Sequence, residues 1–273
     1  MDALTLVIEA VERILAGILP GHPDRAVFLH GLGADLFERF HTTSSMADLD
    51  RAIEVANEAM DYTPEQHPDR PRHLDNLATR LGTRFGIIGS MDDLNRAIEM
   101  ADMSVEATPP GHPLRGRFLG NLAIWLCKRY EETSLFDDVD RSVWAADMAV
   151  EASSENPSDQ ANYLSILSNS LGRRYQDDLD RAISVAELSL EAPDQDVIYR
   201  IAYLNTLGLW LGERADRTGS KADLDRAVEA TDMALEAIPL GHPDRVICLI
   251  NLGKLVGRRF EMTGSMSDLD RAV

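Results

Sequence analysis

The residues of this sequence that could carry chemistry are few, and the most regular of them are histidines. His22, His67, His112 and His242 occupy the same position of a recurring turn. A ladder of imidazoles could hold metal ions, but packed layers of helices would keep successive rings roughly 10 Å apart. That distance is too large for two rings to share one ion. We interpret these histidines as structural and predict no metal site.

Other reactive side chains lack the neighbours that catalysis needs. Cys127 and His73 could form a nucleophile and base, but no third group is placed to orient them. Paired acids such as Asp137-Asp138 stand where helices are expected to begin, and they suit the positive end of a helix dipole. The sequence has no phosphate-binding glycine loop, His-Glu-x-x-His, Gly-x-Ser-x-Gly or Cys-x-x-Cys motif. It therefore predicts a protein that is not an enzyme and needs no cofactor.

The elements that position these residues repeat along the chain. The motif Asp-Leu-Asp-Arg-Ala, exact or nearly so, recurs six times, with its arginine at Arg51, Arg96, Arg141, Arg181, Arg226 and Arg271. A regular period in this range indicates stacked structural repeats. We predict one domain over 1–273 with a half repeat at 1–20, full repeats at 21–65, 66–110, 111–154, 155–194 and 195–240, and a partial repeat at 241–273. The fourth repeat is five residues shorter, which we interpret as a shortened loop within it.

Each repeat contains two amphipathic helices, which we call helix A and helix B. The first helix A places Leu29, Leu32 and Leu36 on one face, and the last places Leu249, Leu252 and Val256 there. The stripe of helix B is rich in alanine. Most helices B follow the pattern Ser-x-x-Asp, typical of a helix N-terminus capped by the serine.

Composition narrows the class of partner. The chain has 273 residues, 44% hydrophobic, with a formal net charge of −19. Such a charge disfavours nucleic acid and anionic membranes as partners, and no apolar run approaches the ~20 residues needed to span a bilayer. Only two cysteines occur, Cys127 and Cys248, in different repeats. We therefore expect a cytoplasmic protein without disulfides.

The repeat resembles the tetratricopeptide repeat, or TPR. In helix A, Leu32-Gly33 followed by Leu36 is similar to the TPR leucine–glycine signature, and in helix B the spacing of Ala52, Ala59 and Pro64 matches the alanine and proline positions. The resemblance implies an all-α, right-handed superhelical solenoid of antiparallel helix pairs. The longer unit resembles arrays of fungal proteins that carry a CHAT-type protease or a nucleotide-binding switch domain. By that resemblance the chain is a sensing or docking arm of a signalling protein.

The function implied by the resemblance is protein–protein interaction through a concave groove lined by helices A. Groove positions in the first repeats include Val27, His30, Ala34 and Arg72. Helices A carry a net positive formal charge and helices B a strongly negative one, which favours an acidic peptide or partner domain. The candidate binding residues are Arg72, Arg117, Lys128, Asn162, Asn169, Arg173, Asn205, Lys254 and Arg258. In the alternative interpretation, these arginines pair with helix B acids and leave the groove neutral.

Two other functions stay open: a regulatory arm that controls an attached CHAT-type protease or NTPase domain, and a small-molecule or catalytic pocket in the groove. The sequence also favours self-association, because the apolar face of the last helix A has an incomplete partner helix.

Three tryptophans complete the sequence-based expectations. Trp125 and Trp210 share one helix A position, and we expect them to pack against a neighbouring helix. Trp144 lies on a helix B where sister repeats have polar residues. An exposed tryptophan there would be a candidate contact site.

Overall fold

The computed structural model describes residues 3–22, 24–153, 156–174, 178–192, 197–240, 242 and 244–272. The described part of the chain contains α-helices and no strand. The helices are α1 Ala3–Gly17, α2 Arg25–Thr43, α3 Met46–Asp61, α4 Arg70–Ile88, α5 Met91–Glu106, α6 Arg115–Thr133, α7 Phe136–Ala152, α8 Pro157–Arg174, α9 Leu179–Leu190, α10 Val197–Thr218, α11 Lys221–Ala237, α12 Asp244–Thr263 and α13 Met266–Ala272. Even-numbered helices are helices A and odd-numbered helices are helices B. The prediction of an all-α helical repeat is confirmed.

The helices form two compact units, 1–132 and 133–273. In the first unit α2 packs along α3 and α4 along α5, while α1 and α3 contact the helix A that follows each of them. In the second unit each helix from α7 to α13 packs on its neighbours in sequence, and α10 also contacts α8 and α12. Each unit is therefore a stack of antiparallel helix pairs.

Leucines from helix A and alanines from helix B form the core. Leu29, Leu32 and Leu36 are buried against Ala52 and Ala59. Because alanine is small, the two helices approach closely along this seam. Leu249 on the last helix A is 48% exposed, in agreement with the incomplete partner helix expected there.

Serine caps begin most helices B, as predicted. The hydroxyl of Ser45 accepts a hydrogen bond from the backbone N–H of Asp48, and Ser90 and Ser220 do the same for Asp93 and Asp223. The short fourth repeat lacks this cap. There, α8 ends at Arg174 and α9 begins only after Asp178.

An arginine near the end of helix A connects three helices. Nε and Nη2 of Arg84 donate to the two carboxylate oxygens of Asp93 at 2.7 and 2.6 Å, while Nη1 donates to Asp50 at 2.8 Å. Asp93 begins the Asp-Leu-Asp-Arg-Ala motif of the same repeat, and Asp50 is the second aspartate of the preceding motif. Hydrogen bonds to these carboxylates raise the pKa of the Arg84 guanidinium above its ordinary value. The first and second aspartates of successive motifs thus tie two helices B to one helix A, and we call this the arginine bridge.

The arginine bridge recurs in the second unit. Equivalent contacts to both aspartates are made by Arg174, Arg214 and Arg259. In the short repeat Arg174 still reaches Asp178, although the turn between them has lost five residues. The recurring acids therefore do more than cap helices: they hold neighbouring repeats together.

The turn between helix B and the next helix A is also fixed by side chains. Arg25 donates to the carbonyls of Leu15 and Ile18 at 3.2 Å, and Arg245 donates to the equivalent carbonyls of α11 and the residue after it. These carbonyls would otherwise be unpaired at a helix C-terminus. Nδ1 of His22, and likewise of His67 and His112, accepts a backbone N–H two residues ahead. The turn histidines thus have a structural role.

Candidate functional site

The candidate site is a cavity of about 570 Å³ in the first unit, between α2, α4 and the turn that precedes α4. We call it the helix A cavity. Three of the predicted groove positions, Val27, His30 and Ala34, line it together with Arg72. Its remaining lining residues are Ala26, Gly31, Tyr62, Thr63, Pro64, His67, Asp69, His73 and Asn76.

Two stacked imidazoles form one wall of the cavity. The rings of His30 and His73 are nearly parallel, with centroids 3.2 Å apart. Nε2 of His30 lies 3.1 Å from Oγ1 of Thr63, whose hydroxyl donates to the carbonyl of Ala59. Because that hydroxyl proton is already used, Thr63 accepts from His30, which assigns the proton of the His30 ring to Nε2.

Both rings of the stacked pair are uncharged near neutral pH. Burial, followed by the charge of the other ring and of nearby arginines, lowers the pKa of His30 to about 3. Burial, and then the charge of Arg72, lowers the pKa of His73 to about 4. The wall therefore offers flat, neutral surfaces rather than positive charge.

The rim of the cavity combines apolar and polar groups. Val27 is 69% exposed on α2, and across the cavity Arg72 and Asn76 lie one turn apart on α4. Arg72 pairs with Asp69 at 3.1 Å, with both side chains about half exposed. A pair this accessible contributes little to stability, so a ligand group could replace Asp69 at low cost.

The other predicted residues of the first unit do not reach this cavity. Nε of Arg117 lies 3.3 Å from the buried carboxylate of Asp75, which also accepts a hydrogen bond from Asn121 at 2.8 Å. Burial raises the pKa of Asp75, and the bonds from Asn121 and Arg117 oppose that rise. Arg117 thus compensates a buried carboxylate on the preceding helix A. Lys128 is half-buried on α6.

In the second unit the predicted residues also contact the protein itself. Arg173 donates to Asn169 and lies over the ring of Trp210 at 5.7 Å. Asn205 donates to Sγ of Cys248 at 2.8 Å, and Arg258 pairs with Asp216 at 2.7 Å. Asn162 is half-buried, and Lys254 is exposed. Of the nine candidates, only Arg72 lines the helix A cavity.

These ion pairs bear on the two interpretations of the basic helices A. Arg117 and Arg258 pair with Asp75 and Asp216, which lie on the preceding helix A, and not with the acids of helix B. The helix B acids instead take part in the arginine bridges. His73 and Asn76, which the sequence analysis missed as cavity residues, lie on the α4 face that also carries Arg72 and could have been found by that helical spacing.

A second recurring contact joins successive helices A. The ring of Trp125 lies over Gly82, where an added Cβ would come within 2.4 Å of it, and Trp210 covers Gly172 in the same way. The expected packing of both tryptophans is confirmed. At the same position Arg80 is 4% exposed and lies over the ring of Phe37 at 5.8 Å.

In the described part of the chain, no three histidine, cysteine, aspartate or glutamate side chains are close enough to hold a metal ion. None of its helices is both long and apolar enough to cross a membrane.

Comparison with known proteins places this geometry in a structural class. No protein-family model matches the sequence, and no curated protein matches it either. Among solved structures, a thermophilic TPR protein of Thermus thermophilus, TTC0263, superposes with a TM-score of 0.54 at 18% identity, covering 83% of this chain and 98% of that one. The nearly identical TPR-like repeats of a kinesin-light-chain-like protein from Podosopora anserina give 0.53 at 16% identity, covering 76% and 94%.

The chain has the fold of a TPR array. A third TPR-like neighbour, the nuclear import adaptor Nro1 of S. pombe, has a TM-score of 0.51 at 14% identity, with 91% of this chain and 90% of that one covered. At these identities the likeness concerns the fold. Within the TPR fold, the stacked helix pairs have the arrangement that the repeat pattern predicted.

Proposed function

We propose that this TPR array is a protein-interaction module and that it binds an extended peptide segment in the helix A cavity. The observation that carries the proposal is the cavity itself, which opens between two successive helices A and combines exposed apolar surface with a few polar groups. Its volume lies in the range of sites that accept ligand-sized groups. The import adaptor among the structural neighbours supports a role in binding other proteins.

The lining of the cavity indicates the kind of segment that fits. Val27, Ala34 and Pro64 favour an apolar side chain, and the neutral His30–His73 stack suits a flat or aliphatic group. Arg72 and Asn76 can bind a carboxylate or a backbone carbonyl of the same segment. We therefore propose an apolar residue next to an acidic one, with Arg72 as the charge that recognises the acid.

Selection from a random peptide library on the immobilised chain tests this proposal. Enriched peptides should bind wild type, and Val27→Arg should abolish their binding because it fills the mouth of the cavity. Val246→Arg is a matched control, since Val246 is 60% exposed but lies on α12 in the other unit. Arg72→Glu should lower the affinity for the acidic peptides severalfold and remove the salt dependence of their binding. Peptides that bind Val27→Arg as well as wild type would refute the assignment of the site.

A small-molecule ligand is the second candidate because the cavity also has the size of a small-molecule site. A thermal-shift screen of Val27→Arg against wild type distinguishes the two. A compound that raises the melting temperature of wild type alone would favour this alternative.

A further inference from the structure

A second surface lies on the outer face of α7, in the second unit. Phe136, Asp140 and Trp144 are spaced four residues apart and therefore follow one row along the helix. Phe136 is 55% exposed and Trp144 is 51% exposed, and Leu135 just before the helix is similarly exposed. We call this row the α7 aromatic row.

The sister helices B carry no aromatic side chain at either position. At the position of Trp144, the sister helices B carry Glu54, Glu99, Ser184 and Glu229. At the position of Phe136 they carry Met46, Met91 and Lys221. Those helices pack through the same leucine and alanine seam without an aromatic residue at these exposed positions. Trp125 and Trp210, by contrast, are both buried in packing contacts.

Two carboxylates and one arginine, Arg141, lie within about one helical turn of the exposed indole along α7. Asp140 and Asp147, four residues before and three after Trp144, lie on the same side of the helix, and both keep a large part of their surface in water. Asp140 pairs with Arg174 of α8 at 3.8 Å, and Asp147 pairs with Arg181 of α9 at 2.8 Å. Helix α7 as a whole carries five carboxylates and one arginine.

We propose that the α7 aromatic row is a docking surface for a basic amphipathic helix of a partner protein. Apolar residues at i and i+8 of such a helix would pack on Phe136 and Trp144, since both pairs then lie eight residues apart along their ridges. Its lysines and arginines would meet the carboxylates on either side. A guanidinium or ammonium group could also lie over the face of the indole. An acidic helix would meet like charges, which disfavours it.

The probe for this test is a synthetic 15-residue helix of leucine and lysine, with leucines along one face. A labelled form is titrated by fluorescence anisotropy in about 150 mM salt, which screens diffuse attraction to the acidic chain. Trp144→Glu should weaken binding about tenfold, because a central tryptophan contributes much of the affinity of such a surface. The change installs the residue of three sister repeats and adds a negative charge, so charge alone would predict tighter binding. Phe136→Met, which restores the sister residue, should weaken binding severalfold.

Three controls make the outcome decisive. Circular dichroism should show unchanged helix content for both variants, and Val27→Arg, which alters the helix A cavity, should bind the probe as wild type does. A leucine–glutamate helix of the same pattern should not bind. Equal binding by wild type and Trp144→Glu would overturn the proposal, and so would equal binding of the two probes. A wild-type dimer in light scattering that Trp144→Glu dissociates would also overturn it, since the occupant would then be a second copy of this chain.

Discussion

The arginine bridge makes a strong prediction about stability. Replacing Arg84 by alanine removes both hydrogen bonds to Asp93, a carboxylate that is only 5% exposed, and the outer pair with Asp50. Removing one partner of a buried pair typically costs about 3–5 kcal/mol, because the other charge stays buried without compensation. Arg84 keeps about a fifth of its surface in water, so water can reach Asp93 in part. We expect the lower end of that range, about 3 kcal/mol.

Urea unfolding followed by circular dichroism measures this loss, and hydrogen exchange locates it. The exchange of α4 and α5 should rise in Arg84→Ala, while that of the second unit should stay unchanged. Local measurement is needed because a repeat array need not unfold in a single two-state step.

Two further variants distinguish the loss of the arginine bridge from the loss of any positive charge. Arg51→Ala removes an exposed pair with Glu54 and should cost under about 0.5 kcal/mol. Combining Arg84→Met with Asp93→Leu should recover much of the loss, since no buried charge is left unpaired. A midpoint for Arg84→Ala equal to that of Arg51→Ala would refute the reasoning.

Four other predictions concern core packing, histidine protonation and self-association. Gly82→Ala should cost about 1–3 kcal/mol, because its Cβ would collide with Trp125. Gly86→Ala on the same helix, where the Cβ meets nothing within 4 Å, should instead stabilise the protein by up to about 1 kcal/mol. Thermal unfolding of both variants measures this difference. Leu122→Ala should cost about 2–5 kcal/mol, since Leu122 on α6 is buried, and an unchanged urea midpoint would contradict its core position. The pKa values of His30 and His73 in the folded protein lie below the ~6.5 of the unfolded chain, so their contribution to the free energy of unfolding is lost as the pH falls below 6.5. We expect a loss of about 2 kcal/mol between pH 7 and pH 5, which is half of the unscreened value because both rings remain partly in water. This pH dependence should be smaller in His30→Gln. Light scattering tests self-association: if copies meet through the exposed Ile247 and Leu249 of α12, Leu249→Glu should remove any concentration-dependent mass increase seen for wild type.

The parts of the fold that depend on local sequence could be predicted. The leucine stripe of Leu29, Leu32 and Leu36 needs only helical spacing, and the cap of Ser45 on Asp48 lies within one turn. The exposure of Leu249 agrees with the incomplete partner helix that the repeat boundaries predicted, and not with its place on the stripe alone. The arginine bridge was missed although its residues recur with the period, since helical spacing alone does not show that Asp50 faces an arginine of the next repeat.

The candidate site was predicted less well, for a related reason. Summing charge over whole helices A gave a positive face, but it ignored which carboxylates on a neighbouring helix A lie beside each arginine. Helices A carry few acids, but two of them, Asp75 and Asp216, pair with Arg117 and Arg258. Arg72 lines the cavity from the start of α4, and its role in binding stays a prediction. The stacking of His30 on His73 depends on how α2 and α4 pack side by side, which the sequence does not show.

The contacts between successive helices A also restrict how such an array can change in evolution. A tryptophan in one repeat needs a glycine at a fixed position of the repeat before it, as Trp125 needs Gly82 and Trp210 needs Gly172. Loss of the repeat that contains α4 and α5 would bring Trp125 against the side chain of Phe37 instead of a glycine. Repeats of this protein are therefore not freely interchangeable. Where a tryptophan of one repeat packs on a glycine of the repeat before it, the two repeats must stay neighbours, and this restricts the order in which the repeats can follow one another.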